Sequence, residues 1–157
     1  MMRHVINNIY IGDLDSVKDV RKMRSIDVII DLSDSRYEEL KNKRYIHMKM
    51  KDLTSFQIDE VIDQFDQVMK QIEPEEKMLI HCVSGTSRSP TLILYYLMRY
   101  QGYDLRRAYV YLRSKSFQNV SPNFGFFKQL LIWERKILGY NSLSIEEYFR
   151  LEYELFQ

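Results

Sequence analysis

The stretch LIHCVSGTSRSPT, from Leu79 to Thr91, contains the only cysteine of the chain, Cys82. A short apolar run ends at His81, six residues follow, and an almost wholly apolar segment begins near Arg88. This pattern predicts a buried strand, a loop and a buried helix. The loop would lie at the carboxyl end of a sheet strand, which is where α/β proteins hold their ligands.

The residues that follow Cys82 have the properties of an anion-binding loop. Small residues leading into a helix can direct several backbone N–H groups at one anion, and glycine permits the tight turn. The arginine at the end of the loop can offer a bidentate fork to phosphate oxygens. The same donors would stabilise a thiolate at Cys82, which predicts a nucleophile. The predicted phosphate-binding residues are Val83, Ser84, Gly85, Thr86, Ser87 and Arg88.

A lone cysteine is most often a small buried hydrophobic residue, and a cysteine six positions before an arginine also occurs by chance. Here the strand upstream, the helix downstream and Gly85 all agree with a catalytic role. We therefore favour Cys82 as a nucleophile over Cys82 as a packing residue.

The rest of the chain alternates between strand and helix patterns in its first half and is dominated by helices in its second. The patterns predict strands within 5–12, 26–32, 45–50 and 78–81, and helices within 13–23, 58–72, 89–100, 104–115, 123–138 and 144–157. This order predicts an α/β domain with a central, mostly parallel, twisted sheet flanked by helices.

The composition of the chain limits which classes of function are expected. With 157 residues the chain suits one core, and its net charge of +1 gives no general attraction to nucleic acid or membranes. One cysteine indicates a reducing compartment, so we expect the cytoplasm, with nuclear entry left open. No apolar run is long enough to span a bilayer. The histidines at 4, 47 and 81 have no metal-ligand spacing, so we expect no metal.

Four segments together resemble one known family. LIHCVSGTSRSPT matches the His-Cys-x-x-Gly-x-x-Arg-Ser/Thr signature of the cysteine-dependent protein tyrosine phosphatases. NIYIGDLDSV (8–17), MKDLTSF (50–56) and SPNFGFFKQLLIWE (121–134) are similar to segments of its dual-specificity, vaccinia-phosphatase-like branch. The resemblance implies a protein tyrosine phosphatase-like fold, a catalytic domain over residues 1–140 and no cofactor. Residues 141–157 would form a helical extension packed on the domain or on a partner.

The resemblance also implies a general acid, and Asp52 is the candidate. It follows a predicted strand, lies 30 positions before Cys82 and matches the acid-loop position of the family. The competitors, Asp59, Asp63 and Asp66, fall on the polar face of the next predicted helix, where we expect them to be solvated. The alternative for Asp52 is a turn or helix-cap residue.

Three further residues receive roles from the same resemblance. Ser89 would assist release of the thiolate from a cysteinyl-phosphate intermediate, although it could also be a helix N-cap. His81 would orient the loop or tune the thiol, or be a hydrogen-bonded core histidine. Asn123 would tie the catalytic loop in place or only cap its own helix.

The implied activity is hydrolysis of phosphotyrosine and phosphoserine/threonine in proteins. The loop interior VSGTS has no charge, whereas related phosphatases of phosphoinositides or RNA 5′-phosphates carry added basic residues there. Those non-protein substrates and a catalytically weak phospho-binding module stay as alternatives, and rhodanese-like or arsenate-reductase chemistry is disfavoured. The expected partner is a phosphorylated protein, not nucleic acid or membrane, and residues 141–157 leave a homodimer open.

Overall fold

The computed structural model describes residues 2–34, 42–116 and 120–156. Its elements are β1 (Met2–Ile6), β2 (Ile9–Gly12), α1 (Leu14–Lys18), α2 (Val20–Met23), β3 (Val28–Asp31), β4 (Arg44–His47), α3 (Asp59–Met69), β5 (Met78–His81), α4 (Arg88–Gln101), α5 (Leu105–Lys115), α6 (Phe124–Leu138) and α7 (Ile145–Phe156).

The strands form one mixed sheet in the order β1-β2-β5-β3-β4. β1 and β2 are an antiparallel hairpin, and the pairs β2–β5, β5–β3 and β3–β4 are parallel. The predicted α/β fold with a mostly parallel sheet is therefore confirmed. The register aligns Gly12, His81, Asp31 and His47 in one row at the carboxyl ends of the four parallel strands.

The central strand β5 is buried on both faces. Its alternating side chains divide between two apolar clusters: Met78 and Ile80 pack in the large core, and Leu79 in a smaller one. Burial on both faces is expected of a parallel strand covered by helices on each side.

Helix α4 carries the loop of interest and lies deep in the core. Every residue from Arg88 to Met98 is buried, as the apolar sequence predicts. The helix ends at Gly102, which adopts the left-handed conformation with φ +72°. This burial fixes the position of the helix N-terminus, and therefore of the loop before it.

Two predicted elements differ from the structure. The segment 13–23 forms α1 and α2 rather than one helix, because the Asp19 carboxylate accepts hydrogen bonds from the N–H groups of Arg21 and Lys22 and starts a new helix. The strand predicted over 45–50 pairs only over Arg44–His47, and the chain then leaves the sheet.

The C-terminal helix α7 lies against the other helices. Ser144 and Glu147 form the predicted capping box, with reciprocal hydrogen bonds of 3.0 and 3.2 Å. The Tyr148 ring is 2% exposed and stacks on Phe127 with centroids 3.6 Å apart. None of the helices in the described part of the chain has the length and apolar composition needed to cross a membrane.

Candidate active site

The phosphate loop, residues 82–88, joins β5 to α4 as predicted. Gly85 has φ +77°, a conformation that favours glycine, and its N–H group donates to Cys82 Sγ at 3.2 Å. The Ser89 hydroxyl lies 3.3 Å from the same sulfur. Cys82 is 1% exposed. The sulfur therefore lies inside the loop beside groups that can stabilise negative charge on it.

The phosphate loop is held from outside by backbone hydrogen bonds. The Leu14 N–H donates to the Val83 carbonyl at 3.1 Å, and the Ser121 N–H donates to the Thr86 carbonyl at 2.7 Å. Because the C=O and N–H groups of a trans peptide point in opposite directions, the next N–H groups, of Ser84 and Ser87, face the other way. The loop can therefore present backbone donors to an anion on its inner side.

Arg88 is the first residue of α4 and is 8% exposed. Its Nη1 donates to the Met50 carbonyl and to the Asp34 carboxylate, both at 3.2 Å. Asp34 is largely exposed, so this ion pair is open to solvent on one side. The two contacts fix the guanidinium at the rim of the phosphate loop.

Asp52 lies in the acid loop, residues 50–56, which follows β4. Its Oδ1 accepts hydrogen bonds from the Ser87 hydroxyl at 2.8 Å and from Asn123 Nδ2 at 2.9 Å. Among the described residues no donor contacts its Oδ2. Asp52 is not a helix cap. The two hydrogen bonds join the acid loop directly to the phosphate loop.

The competing aspartates lie on α3, and two of them accept hydrogen bonds from aromatic side chains. Asp66 accepts hydrogen bonds from the hydroxyls of Tyr95 and Tyr100 at 2.7 and 2.6 Å. Asp59 accepts one from Trp133 Nε1 at 3.1 Å. Asp59 is exposed, as expected, whereas Asp66 is half-buried, so the expectation of solvation was wrong for Asp66, which tyrosines of α4 reach. Asp63 is exposed.

Asn123 makes contacts of both of the kinds that the sequence left open. Its Oδ1 accepts from the Phe126 N–H at 2.9 Å and caps α6, while its Nδ2 donates to Asp52. Its backbone N–H donates to the Ser87 hydroxyl at 3.0 Å. One residue thus links α6 to both loops.

Two more residues of the same helix hold the acid loop. Gln129 accepts a hydrogen bond from the Ile58 N–H and donates one to the Phe56 carbonyl, each at 2.8 Å. A Cβ atom on Gly125 would lie 1.9 Å from the Thr54 carbonyl oxygen, so only glycine admits this approach. The segment 121–134 therefore packs against the acid loop through three of its residues.

His81 lies beneath the phosphate loop and is fully buried. Its Nδ1 is 3.1 Å from the Cys82 carbonyl oxygen, and its Nε2 is 3.7 Å from Asp31 Oδ1. Asp31 also accepts hydrogen bonds from the Ser33 N–H, the Ser33 hydroxyl and the Tyr45 hydroxyl. Burial lowers the pKa of His81, with the Asp31 charge opposing it. His81 is therefore a hydrogen-bonded core histidine that also contacts the backbone of Cys82.

Ser89 is the second residue of α4, and the N-cap of that helix is Ser87. The N-cap alternative for Ser89 was therefore wrong, and its hydroxyl is free to face the thiol. Of the remaining loop residues, Val83 and Ser84 are exposed, Gly85 is buried and Thr86 is half-buried. Within the described ranges, His, Cys, Asp and Glu form no group of three that could hold a metal ion.

Sequence reasoning missed the partners of the predicted residues. The Ser87 hydroxyl was expected only as part of the phosphate loop, yet it bridges Asp52 and Asn123. Gly125 and Gln129 lie within the segment 121–134, which resembles a segment of the family, so their importance was indicated by the sequence. For Asp34 the only indication in the sequence was weak: the residue lies just after a predicted strand.

Comparison with known proteins agrees with this geometry. A family model for the dual specificity phosphatase catalytic domain matches residues 9–136. The rat dual specificity protein phosphatase 5 is 43% identical over 84 residues, which cover 54% of this chain and 21% of the relative. The MAP kinase phosphatase with leucine-rich repeats protein 3 of Dictyostelium discoideum is 31% identical over 148 residues, 92% of this chain and 17% of the relative. The chain thus spans about a fifth of the length of these relatives.

A solved structure shares the fold. The human tyrosine phosphatase-like serine/threonine/tyrosine-interacting protein superimposes with a TM-score of 0.80 at 22% identity, covering 87% of this chain and 97% of that one. Since the family model matches well over half of the chain, the chain belongs to the dual specificity phosphatase catalytic domain family.

Proposed function

We propose that this chain is a protein phosphatase that hydrolyses phosphotyrosine and phosphoserine/threonine through a cysteinyl-phosphate intermediate. The observation that carries the proposal is the position of Cys82 Sγ inside the phosphate loop, 3.2 Å from the Gly85 N–H group and 3.3 Å from the Ser89 hydroxyl. Membership of the dual specificity family supports the substrate class.

In the first step the Cys82 thiolate attacks phosphorus in line with the leaving oxygen. The S–P bond forms as the P–O bond to the substrate breaks, and Asp52 gives its proton to the departing oxygen. The backbone N–H groups of residues 83–87 and the Arg88 guanidinium stabilise the charge on the equatorial phosphoryl oxygens.

In the second step water attacks the cysteinyl phosphate, and Asp52 accepts the proton from that water. The S–P bond breaks and the thiolate leaves, stabilised by a hydrogen bond from the Ser89 hydroxyl. His81 and Asn123 act as positioning residues, since His81 contacts the Cys82 carbonyl and Asn123 holds Asp52. The chemistry uses no cofactor and no metal.

The substrate is a phosphomonoester on a protein. The loop interior, VSGTS, supplies no cation for a second phosphate, which supports a protein phosphoester over a phosphoinositide or RNA 5′-phosphate. The net charge of +1 supports a partner that is neither nucleic acid nor an anionic membrane. A free catalytic thiol needs a reducing compartment, and we infer the cytoplasm, with nuclear entry open.

Residues 1–140 are the catalytic domain in this proposal, and residues 141–157 are a helical extension. Burial of Tyr148 against Phe127 supports packing of the extension on its own domain rather than on a partner. Sedimentation at high concentration tests this: a monomer is expected, and a dimer that Phe149→Ala dissociates would assign the extension to a homodimer interface instead.

Hydrolysis of para-nitrophenyl phosphate near pH 6, with and without vanadate, tests the activity. We expect vanadate-sensitive turnover by the wild type and none by Cys82→Ser, which should still bind a phosphotyrosine peptide. Peptide binding without turnover by the wild type would make the chain a phospho-binding module. Preference for a phosphoinositide or an RNA 5′-phosphate over phosphopeptides would contradict the protein substrate.

A further inference from the structure

We propose that helix α7 is a positioning element of the phosphate loop, acting through Glu152 and the segment 120–122. This proposal rests on the proposed function, because it concerns how the same loop is held for phosphate. The helix lies outside residues 9–136, which the family model matches, so the matched domain does not account for it.

Glu152 collects three hydroxyl donors on one carboxylate oxygen. Its Oε1 accepts from the Tyr148 hydroxyl at 2.8 Å, from the Tyr109 hydroxyl at 3.4 Å and from the Ser121 hydroxyl in a short hydrogen bond. Burial raises the pKa of both tyrosines well above its ordinary value, so both hydroxyls stay protonated and can donate. Glu152 thereby joins α7 to α5 and to Ser121.

The segment 120–122 is held by hydrogen bonds at the Val120 carbonyl, the Ser121 N–H and the Pro122 carbonyl. The Val120 carbonyl accepts from Arg113 Nη1 at 2.9 Å and, at 3.2 Å, shares the single proton of the Tyr109 hydroxyl with Glu152 Oε1. The Pro122 carbonyl lies 3.2 Å from the Tyr148 hydroxyl and shares the single proton of that hydroxyl with Glu152 Oε1. The backbone of this segment is therefore bound to α5 on one side and to α7 on the other.

Ser121 connects this segment to the phosphate loop. Its hydroxyl contacts Glu152, and its N–H group donates to the Thr86 carbonyl at 2.7 Å. The Thr86 carbonyl and the Ser87 N–H belong to one peptide plane and point in opposite directions. A plane held from outside by Ser121 therefore keeps the Ser87 N–H directed at the inner side of the loop, where phosphate binds.

Removal of the Glu152 carboxylate should loosen this plane without disturbing the acid loop. Asp52 keeps its hydrogen bond from Asn123, which caps α6, and its hydrogen bond from Ser87 comes from the hydroxyl rather than from the backbone N–H that Ser121 orients. We therefore expect weaker phosphate binding and an unchanged dependence on the leaving group. A helix that merely packed on the domain would change thermal stability alone.

The test uses the full chain and three substitutions: Glu152→Ala, Glu152→Gln and Tyr148→Phe, the last of which keeps the stacked ring. The matched control is Glu147→Gln on the same helix, since Glu147 pairs with exposed Arg106 and caps the helix. The measurements are the binding of inorganic phosphate by calorimetry, the KM and kcat for para-nitrophenyl phosphate, and the melting temperature.

We expect phosphate affinity to fall about tenfold in Glu152→Ala, as loss of charge-assisted hydrogen bonds predicts. Glu152→Gln and Tyr148→Phe should each lose about threefold, since each keeps part of the network. KM should rise in parallel, while Glu147→Gln keeps wild-type affinity. Wild-type phosphate affinity in Glu152→Gln and Tyr148→Phe, in proteins that melt normally, would overturn the proposal. Because phosphate binding is measured without turnover, this result is independent of whether the wild type hydrolyses phosphoesters.

Discussion

Substitution of Gly125 by alanine should impair proton donation to the leaving group while preserving nucleophilic attack by Cys82. The new Cβ would lie 1.9 Å from the Thr54 carbonyl oxygen, whereas such contacts essentially never fall below 3.0 Å. The acid loop and the N-terminus of α6 must therefore separate by at least about 1.1 Å. Asp52 lies two residues from Thr54 and is held by Asn123, two residues from Gly125, so it moves relative to the phosphate loop.

The magnitude follows from the displacement. A misplacement of about 1 Å costs roughly 10²-fold in rate where a group must be positioned. We expect this loss in kcat/KM for phenyl phosphate, whose leaving group needs the proton. We expect a loss of less than about threefold for para-nitrophenyl phosphate, whose leaving group departs with little assistance. Overpacking should also lower the free energy of unfolding by roughly 1–3 kcal/mol.

The assay is a series of aryl phosphates with leaving groups of increasing basicity, measured at one temperature below all melting transitions. Gly139→Ala is the matched control at the other end of the same helix: with φ +85° and no atom within 4 Å of the new Cβ, it strains the backbone alone. It should cost roughly 1–2 kcal/mol of stability and leave the leaving-group dependence unchanged. If Gly125→Ala shows the wild-type dependence as well, the acid loop is not positioned by this contact.

Three further predictions concern single side chains. Asp52→Ala should slow phenyl phosphate hydrolysis by about 10²–10⁴-fold and para-nitrophenyl phosphate far less; equal losses would assign proton donation to another group. Burial lowers the pKa of His81 below 6.5, so the unfolded chain binds the proton more readily and acidification through about pH 6.5 reduces stability. In His81→Gln, the free energy of unfolding measured by urea titration should fall less on acidification. A pH dependence equal to that of the wild type would contradict this prediction. Glu134→Ala should lower the free energy of unfolding by roughly 3 kcal/mol, because the buried carboxylate accepts from Leu105 and Ser142; a loss below about 1 kcal/mol would refute this.

The elements that the sequence predicted are those determined by residues close together in the chain. The helix that begins at Phe124 has its N-cap, Asn123, beside it in the chain, and α5 begins after Asp104, whose carboxylate caps it. The phosphate loop was predictable for the same reason: its strand, its glycine and its arginine are contiguous. The helix expected over 13–23 is divided because the Asp19 side chain accepts hydrogen bonds from nearby N–H groups. The periodicity of the apolar residues does not indicate this competition.

The partners of the site were not predictable, because they come from distant parts of the chain. Asp34 and Arg88 are 54 positions apart, and Asp52 and Asn123 are 71 apart. Asp66 appeared solvated on a helical pattern, yet tyrosines of α4 reach it once the helices pack. Pairings of this kind depend on tertiary packing, which periodicity along one segment does not encode.

The covalent intermediate on Cys82 gives the most direct test of the proposed mechanism. Ser89→Ala should slow the second step, because its hydroxyl 3.3 Å from the sulfur would no longer stabilise the leaving thiolate. The protein is mixed with a phosphoester, denatured rapidly, digested and analysed by mass spectrometry. We predict the mass of one phosphoryl group on the peptide that contains Cys82, accumulating in Ser89→Ala and absent in Cys82→Ser. Turnover at the wild-type rate with no phosphoryl group on Cys82, or with the group on another residue, would contradict the mechanism.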